Sequence, residues 1–169
     1  MALPRKLKNL NLFNEGQSYL GEVASVTLPK LTRKLEGWRG GGMDGAVKID
    51  MGAGDDLDLE FTTGGPMRDV LRQFGVTRAA GVFLRFAGAW QNDGTGAVDT
   101  VEVTVRGRHE EIDFGESKPG ESGEFKVKSA LAYYRLDWNG VTEVEIDTIN
   151  GVFIVGGVDR NAEIMAAIR

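Results

Sequence analysis

The segment VFLRFAGAWQNDGTGAVDTVEVTVRG, residues 82–107, decides the fold class. Residues 82–90 and 97–107 both read as strands, and the link between them, Gln91 to Gly96, holds Asn92, Asp93, Gly94 and Gly96. These residue types tolerate the backbone angles of tight turns, so the segment reads as a β-hairpin. Alternation continues on either side of it. Residues 45–51 (GAVKIDM) put Val47, Ile49 and Met51 on one side of a strand and Lys48 and Asp50 on the other. Residues 57–63 (LDLEFTT) direct Leu57, Leu59 and Phe61 inward and Asp58 and Glu60 outward. Such alternation marks antiparallel strands with one wet face.

Residues 19–28 read as a strand that ends at Pro29, which has no N–H for a ladder. Residues 124–138 and 141–148 flank Asn139-Gly140, the strongest short hairpin signal, and a last strand is expected at 152–155. Two segments have helical spacing instead. Residues 66–74 open on Pro66 and stop at Gly75, and residues 160–168 follow Asp159 as an expected N-cap. About eight strands and two short helices predict a mainly β (α+β) protein, an antiparallel β-sandwich or barrel, with one domain over residues 1–169. Within it, residues 1–15 are expected to form an N-terminal extension. Residues 32–46, basic and then glycine-rich, are expected to form a mobile loop or an arm ordered by a neighbouring subunit.

Composition narrows the function. Cysteine is absent, which removes thiol catalysis and thiolate metal sites, and a single histidine, His109, removes any two-histidine site. No apolar run approaches the ~20 residues of a membrane span, and the basic start lacks the apolar core of a secretory signal. A net charge of −5 argues against tight binding to a nucleic-acid backbone. Glycine is abundant, 24 residues against 4 prolines, which fits many tight turns and bulges.

No candidate for chemistry outweighs its structural alternative. Gly40, Gly41 and Gly42 lack phosphate-loop spacing and precede a strand pattern. Asp55, Asp56, Asp58 and Glu60 do not have calcium-loop spacing and read as a solvated strand face. His109, among charges at a strand end, reads as a surface residue, and no nucleophile motif accompanies it. Tyr133 and Tyr134, adjacent on a strand, point to opposite faces.

An ordered set of short motifs carries a resemblance. It runs from Asn11-Leu12-Phe13 with Gly16, through Val26-Thr27-Leu28-Pro29-Lys30-Leu31 and Trp38-Arg39-Gly40-Gly41-Gly42-Met43, to Val47-Lys48-Ile49-Asp50-Met51-Gly52 and Arg106-Gly107. It continues with Lys118-Pro119-Gly120-Glu121, Glu124-Phe125-Lys126, Tyr133-Tyr134, Glu145-Ile146-Asp147 and Gly156-Gly157-Val158-Asp159. In this order the chain resembles the major tail tube proteins of contractile-tailed phages, and the tube protein of R-type pyocins, with Trp38 where tyrosine is expected.

The resemblance implies β-sandwich subunits in homo-hexameric rings, stacked into a tube with no enzymatic activity and no cofactor. Its implied partners are the tail sheath protein, the tape measure protein, the baseplate hub and the tail terminator. DNA passes the lumen without specific binding in a phage. The implied location is the virion tail, or a tail-like bacteriocin, assembled in the host cytoplasm. The rival reading is a monomeric β-sandwich binding module or enzyme. On the tube reading, Trp38, Arg39, Gly40, Gly41, Gly42 and Met43 are the expected arm contact. The expected lumen residues are Lys48, Asp50, Asp58, Glu60, Arg85, Asp99, Glu102 and Arg106, five acids and three bases.

Overall fold

The structure is a computed structural model describing residues 1–169. Its strands are β1 (Arg5–Asn14), β2 (Gln17–Ser18), β3 (Val23–Thr27), β4 (Arg33–Trp38), β5 (Val47–Ala53), β6 (Asp58–Thr63), β7 (Val82–Asn92), β8 (Val98–Asp113), β9 (Phe125–Trp138), β10 (Val141–Asp147), β11 (Val152–Val155) and β12 (Val158–Asp159). The helices are α1 (Arg68–Gln73) and α2 (Ala162–Ile168). Neither is long and apolar enough to cross a membrane.

Every pairing is antiparallel, and the main sheet runs β12-β11-β10-β9-β8-β7-β1-β2. The β7–β8 and β9–β10 hairpins follow from their turn residues. Asn139 and Gly140 both take positive φ, 49° and 82°, as a two-residue turn matched to strand twist demands.

The long strands β8 and β9 make a sandwich out of this sheet. β8 covers β9 from Val101↔Trp138 to Asp113↔Lys126, with register shifts at Arg106/Gly107 and His109/Glu111. Beyond those bulges β9 exchanges its other neighbour. Residues 133–138 pair with β10, whereas residues 125–130 pair with β6, which in turn pairs with β3. One layer is therefore β11-β10-β9-β8-β7-β1 and the other is β3-β6 with the lower ends of β9 and β8. Leu59, Phe61, Phe125 and Val127 of the second layer pack with Leu12, Leu84, Phe86, Val103, Val105 and Tyr134 of the first in one buried cluster.

Two sequence expectations change here. Residues 5–14 are not an extension, because β1 pairs with β7 along nearly its whole length. The segment's polar interruptions, Lys8-Asn9 and Asn11, obscure its alternation. Residues 32–46 are largely a strand and a turn, within a β4–β5 hairpin that forms a separate two-stranded sheet.

Gly107 sits buried at the bend of β8, where an added methyl would collide with the carbonyl oxygen of Ala130. Overpacking of this kind typically costs about 1–3 kcal/mol. Gly107→Ala is therefore expected to lower the urea midpoint by that equivalent without changing the slope of the transition.

Candidate functional site

The β4–β5 hairpin projects as an arm. Its register sets Trp38 opposite Val47 and Glu36 opposite Ile49, so Trp38, Val47, Ile49 and Met51 share one face. That face has no cover. Trp38 is 61% exposed and Ile49 46%. An isolated two-stranded hairpin is marginal in water, and this one is held by its ladder and by the Arg33–Asp50 fork at 2.9 and 3.0 Å. Hydrogen bonds from Arg33, and then from the Gly52 N–H, hold the Asp50 carboxyl below the usual range.

At the tip the Gly40 N–H points to the Met43 sulfur at 3.1 Å, and Arg39 donates to the Met43 carbonyl at 3.2 Å. A Cβ at Gly40 would lie 3.4 Å from Trp38 Nε1, whereas Gly41 and Gly42 face open space. The tip motif is thus a small Trp38–Gly40–Met43 cluster with a free outer surface.

The eight residues expected along one lumen wall fall on several surfaces. Lys48 and Asp50 are on the arm. Arg85, Glu102 and Arg106 lie on the outer face of the larger layer, where Arg85 pairs with Glu102 at 3.2 Å and stands 4.0 Å over the Phe13 ring. Arg106 stands over Phe83 at 5.1 Å. Tyr133, Arg135, Asp137 and Glu145 continue this face, with Arg135–Asp137 at 3.2 Å and the Tyr133 hydroxyl donating to Glu145 at 3.2 Å. Asp147, opposite Tyr133, also lies on it, so four carboxylates face three arginines.

Asp99 has the parity of inward-facing Val101 and sits at the sheet end, bonded to Asn139 and Arg5, which hold its carboxyl low. Only Asp58 and Glu60 lie on the outer face of the second layer. There the cross-strand rows Thr27–Glu60–Lys128–Glu111 and Ser25–Thr62–Lys126–Asp113 run side by side. With Asp58 and Glu124 nearby, acids outnumber the two lysines on this face. It is the acidic surface of the subunit. No cluster of three metal-ligating side chains exists.

Sequence comparison supplies the context for these surfaces. Residues 4–168 match the family model for phage tail tube protein FII. The chain belongs to the phage tail tube protein FII family. It is 50% identical to the tail tube protein of Escherichia phage P2 over 162 residues, covering 95% of this chain and 94% of the relative. It is 38% identical to the major tail tube protein of Serratia phage KSP20 over 154 residues, covering 90% and 88%. Its role is that of a structural tail tube protein.

In this tail tube protein the lone histidine is a core residue, contrary to the sequence expectation. His109 is 5% exposed. Its Nδ1 lies 2.9 Å from Ser129 Oγ and its Nε2 3.0 Å from Gln73 Oε1. Gln73 Oε1 can only accept, so Nε2 carries the proton and Nδ1 accepts from Ser129. Gln73 Nε2 donates to Asn14 Oδ1 at 2.7 Å, Asn14 Nδ2 donates to the Tyr19 hydroxyl at 2.9 Å, and Tyr19 donates to Asp69. The network runs from Ser129 to the Asp69 carboxylate, with Asn14 Nδ2 also donating back to Gln73 Oε1 at 2.8 Å, and it ties α1 to β1, β8 and β9. Burial, with the Asp69 hydrogen bond, pushes the Tyr19 hydroxyl up. Sequence could not reveal this network, because its members lie as far apart as Asn14 and Ser129.

Desolvation lowers the His109 pKa from 6.5 to about 4, against a smaller opposing pull from Asp69. The unfolded chain therefore binds the extra proton first. The stability owed to neutral His109 is present above about pH 6.5 and is lost as pH falls toward 4, about 3 kcal/mol in all. Urea unfolding between pH 7 and 4 should show this loss, with about one proton taken up on unfolding through this group. The contribution should vanish in His109→Gln.

Proposed function

We propose that the protein is a non-enzymatic building block that polymerises as stacked hexameric rings into the inner tube of a contractile tail. A sheath protein surrounds that tube, a tape measure protein occupies it during assembly, and a baseplate hub and a tail terminator close its ends. Assembly takes place in the host cytoplasm, and DNA passes the lumen without specific binding. A bacteriocin relative would use the same tube to puncture an envelope. The observation that carries this reading is the arm, an ordered hairpin whose apolar face is uncovered in the subunit. Uncovered apolar surface of this extent marks an interaction site. Size-exclusion chromatography and negative-stain imaging across a concentration series test it, with rings or tubes expected and a stable monomer at every concentration opposing it.

Trp38 anchors the arm on an adjacent subunit in this reading. A buried aromatic anchor is worth ~2 kcal/mol or more on truncation, and Trp38 is free of the core cluster of its own subunit. Trp38→Ala is expected to abolish tubes while leaving the thermal melt of the monomer nearly unchanged. Normal tubes would remove the anchor role.

The channel wall, in the same proposal, is the four-stranded face bearing Asp58, Glu60, Glu111 and Asp113. An acidic face repeated around a ring repels phosphate at short range and lets DNA slide without adhering. The opposite face, with two of its three arginines paired to carboxylates, has a surplus of only one acid. Asp58→Lys combined with Glu60→Lys should permit tube assembly but slow DNA ejection in an infection assay. Unchanged ejection with lost sheath attachment would assign this face to the exterior.

A further inference from the structure

The larger layer is not covered along its whole apolar face. β6 and β10 pair with the same edge of β9, since β8 occupies the other, and they part around Leu131. The second layer ends there. Beyond it Leu131, Val144, Ile146, Phe153 and Val155, all half-buried, floor a groove of about 620 Å³. The root of the arm forms one wall, with Arg33 standing 4.8 Å over the Phe153 ring. From that root the arm leads away. Its residues 33–39 and 44–51 are all exposed, so the subunit's own arm leaves its own groove open.

We propose that this groove is the seat of the arm of a second copy, with Val47, Ile49 and Met51 laid on its floor. The inference rests on the reading that copies of the chain assemble through the arm, and it names where the arm goes. Three observations carry it. The chain has an apolar strip without a cover and an apolar trough without an occupant, and each would remove the other from water. Arg39 near the arm tip has no carboxylate partner within the subunit, and Asp55 and Asp56 on the groove rim have no cation. Finally, strip and trough are different surfaces, so each copy gives its arm to one neighbour and receives the arm of another. A heterologous contact of this kind repeats around a ring or along a filament without terminating itself.

The chain has no cysteine, so introduced thiols report contacts without background. Ile49→Cys and Val144→Cys are made as separate proteins, one carrying a size tag, then mixed, assembled and mildly oxidised. Phe74→Cys on the far side of α1 and Ser25→Cys on the acidic face serve as alternative acceptors. Val47→Cys and Val155→Cys replace the first pair if either variant fails to fold or assemble. The expected result is a mixed disulfide between the arm thiol and the groove thiol, formed in tubes and absent from dilute unassembled protein. A disulfide to position 74 or 25 instead would overturn the groove as the seat while leaving assembly through the arm intact. Tubes in which the arm thiol bonds to none of these positions and stays open to a soluble thiol reagent would overturn both.

Discussion

The pairing of β8 with β9 is the constraint on which the rest of the subunit depends. Two long strands can belong to both layers of a sandwich only if they bend, and these bend at bulges beside Gly107 and His109. The bend needs a residue without a side chain at Gly107, because the Ala130 carbonyl occupies the space a methyl would take. It also turns the edge of β9 from β10 to β6. The closed core, the two outward faces and the notch between β6 and β10 are all consequences of that exchange.

A subunit built this way leaves some apolar surface unsatisfied. A monomeric sandwich buries both inner faces of its layers, since exposed apolar area and open strand edges invite association. Here the second layer is shorter than the first, and an amphipathic hairpin emerges at the point where it stops. In a tail tube protein this incompleteness has a use. On the assembly proposed above, association supplies the missing cover, so the same hydrophobic term that stabilises the core favours assembly.

Polar groups divide into two kinds. Those in the core form a closed chain, from Ser129 through His109, Gln73, Asn14 and Tyr19 to Asp69, in which each donor meets an acceptor. Such a network fixes the position of α1, a helix of six residues that is too short to be stable alone. Those on the outer faces differ in balance. One face pairs arginines with carboxylates and stacks them on Phe13 and Phe83, and the other holds a surplus of acids around Lys126 and Lys128.

The sequence by itself determined β3 and the strands from β5 onward, apart from the two-residue β12, together with both helices and the Asn139-Gly140 turn. Period-two patterning and turn chemistry are local properties, and a few residues suffice to express them. The ordered motifs also carried the family. The strand β1 was not legible, because the pattern before Leu10 is broken by lysines and asparagines, and only pairing with β7 makes it a strand. Surface assignment lay further out of reach. Alternation says that Val47, Ile49 and Met51 share a face, but not that the face is open to solvent. It says that Glu60 and Glu102 point outward, but not that they point out of opposite layers. Asp99 has the polarity of an outward residue and the parity of an inward one. Which face meets which neighbour depends on register, bulges and the exchange of partners along β9, and those are set by contacts between residues far apart in the chain.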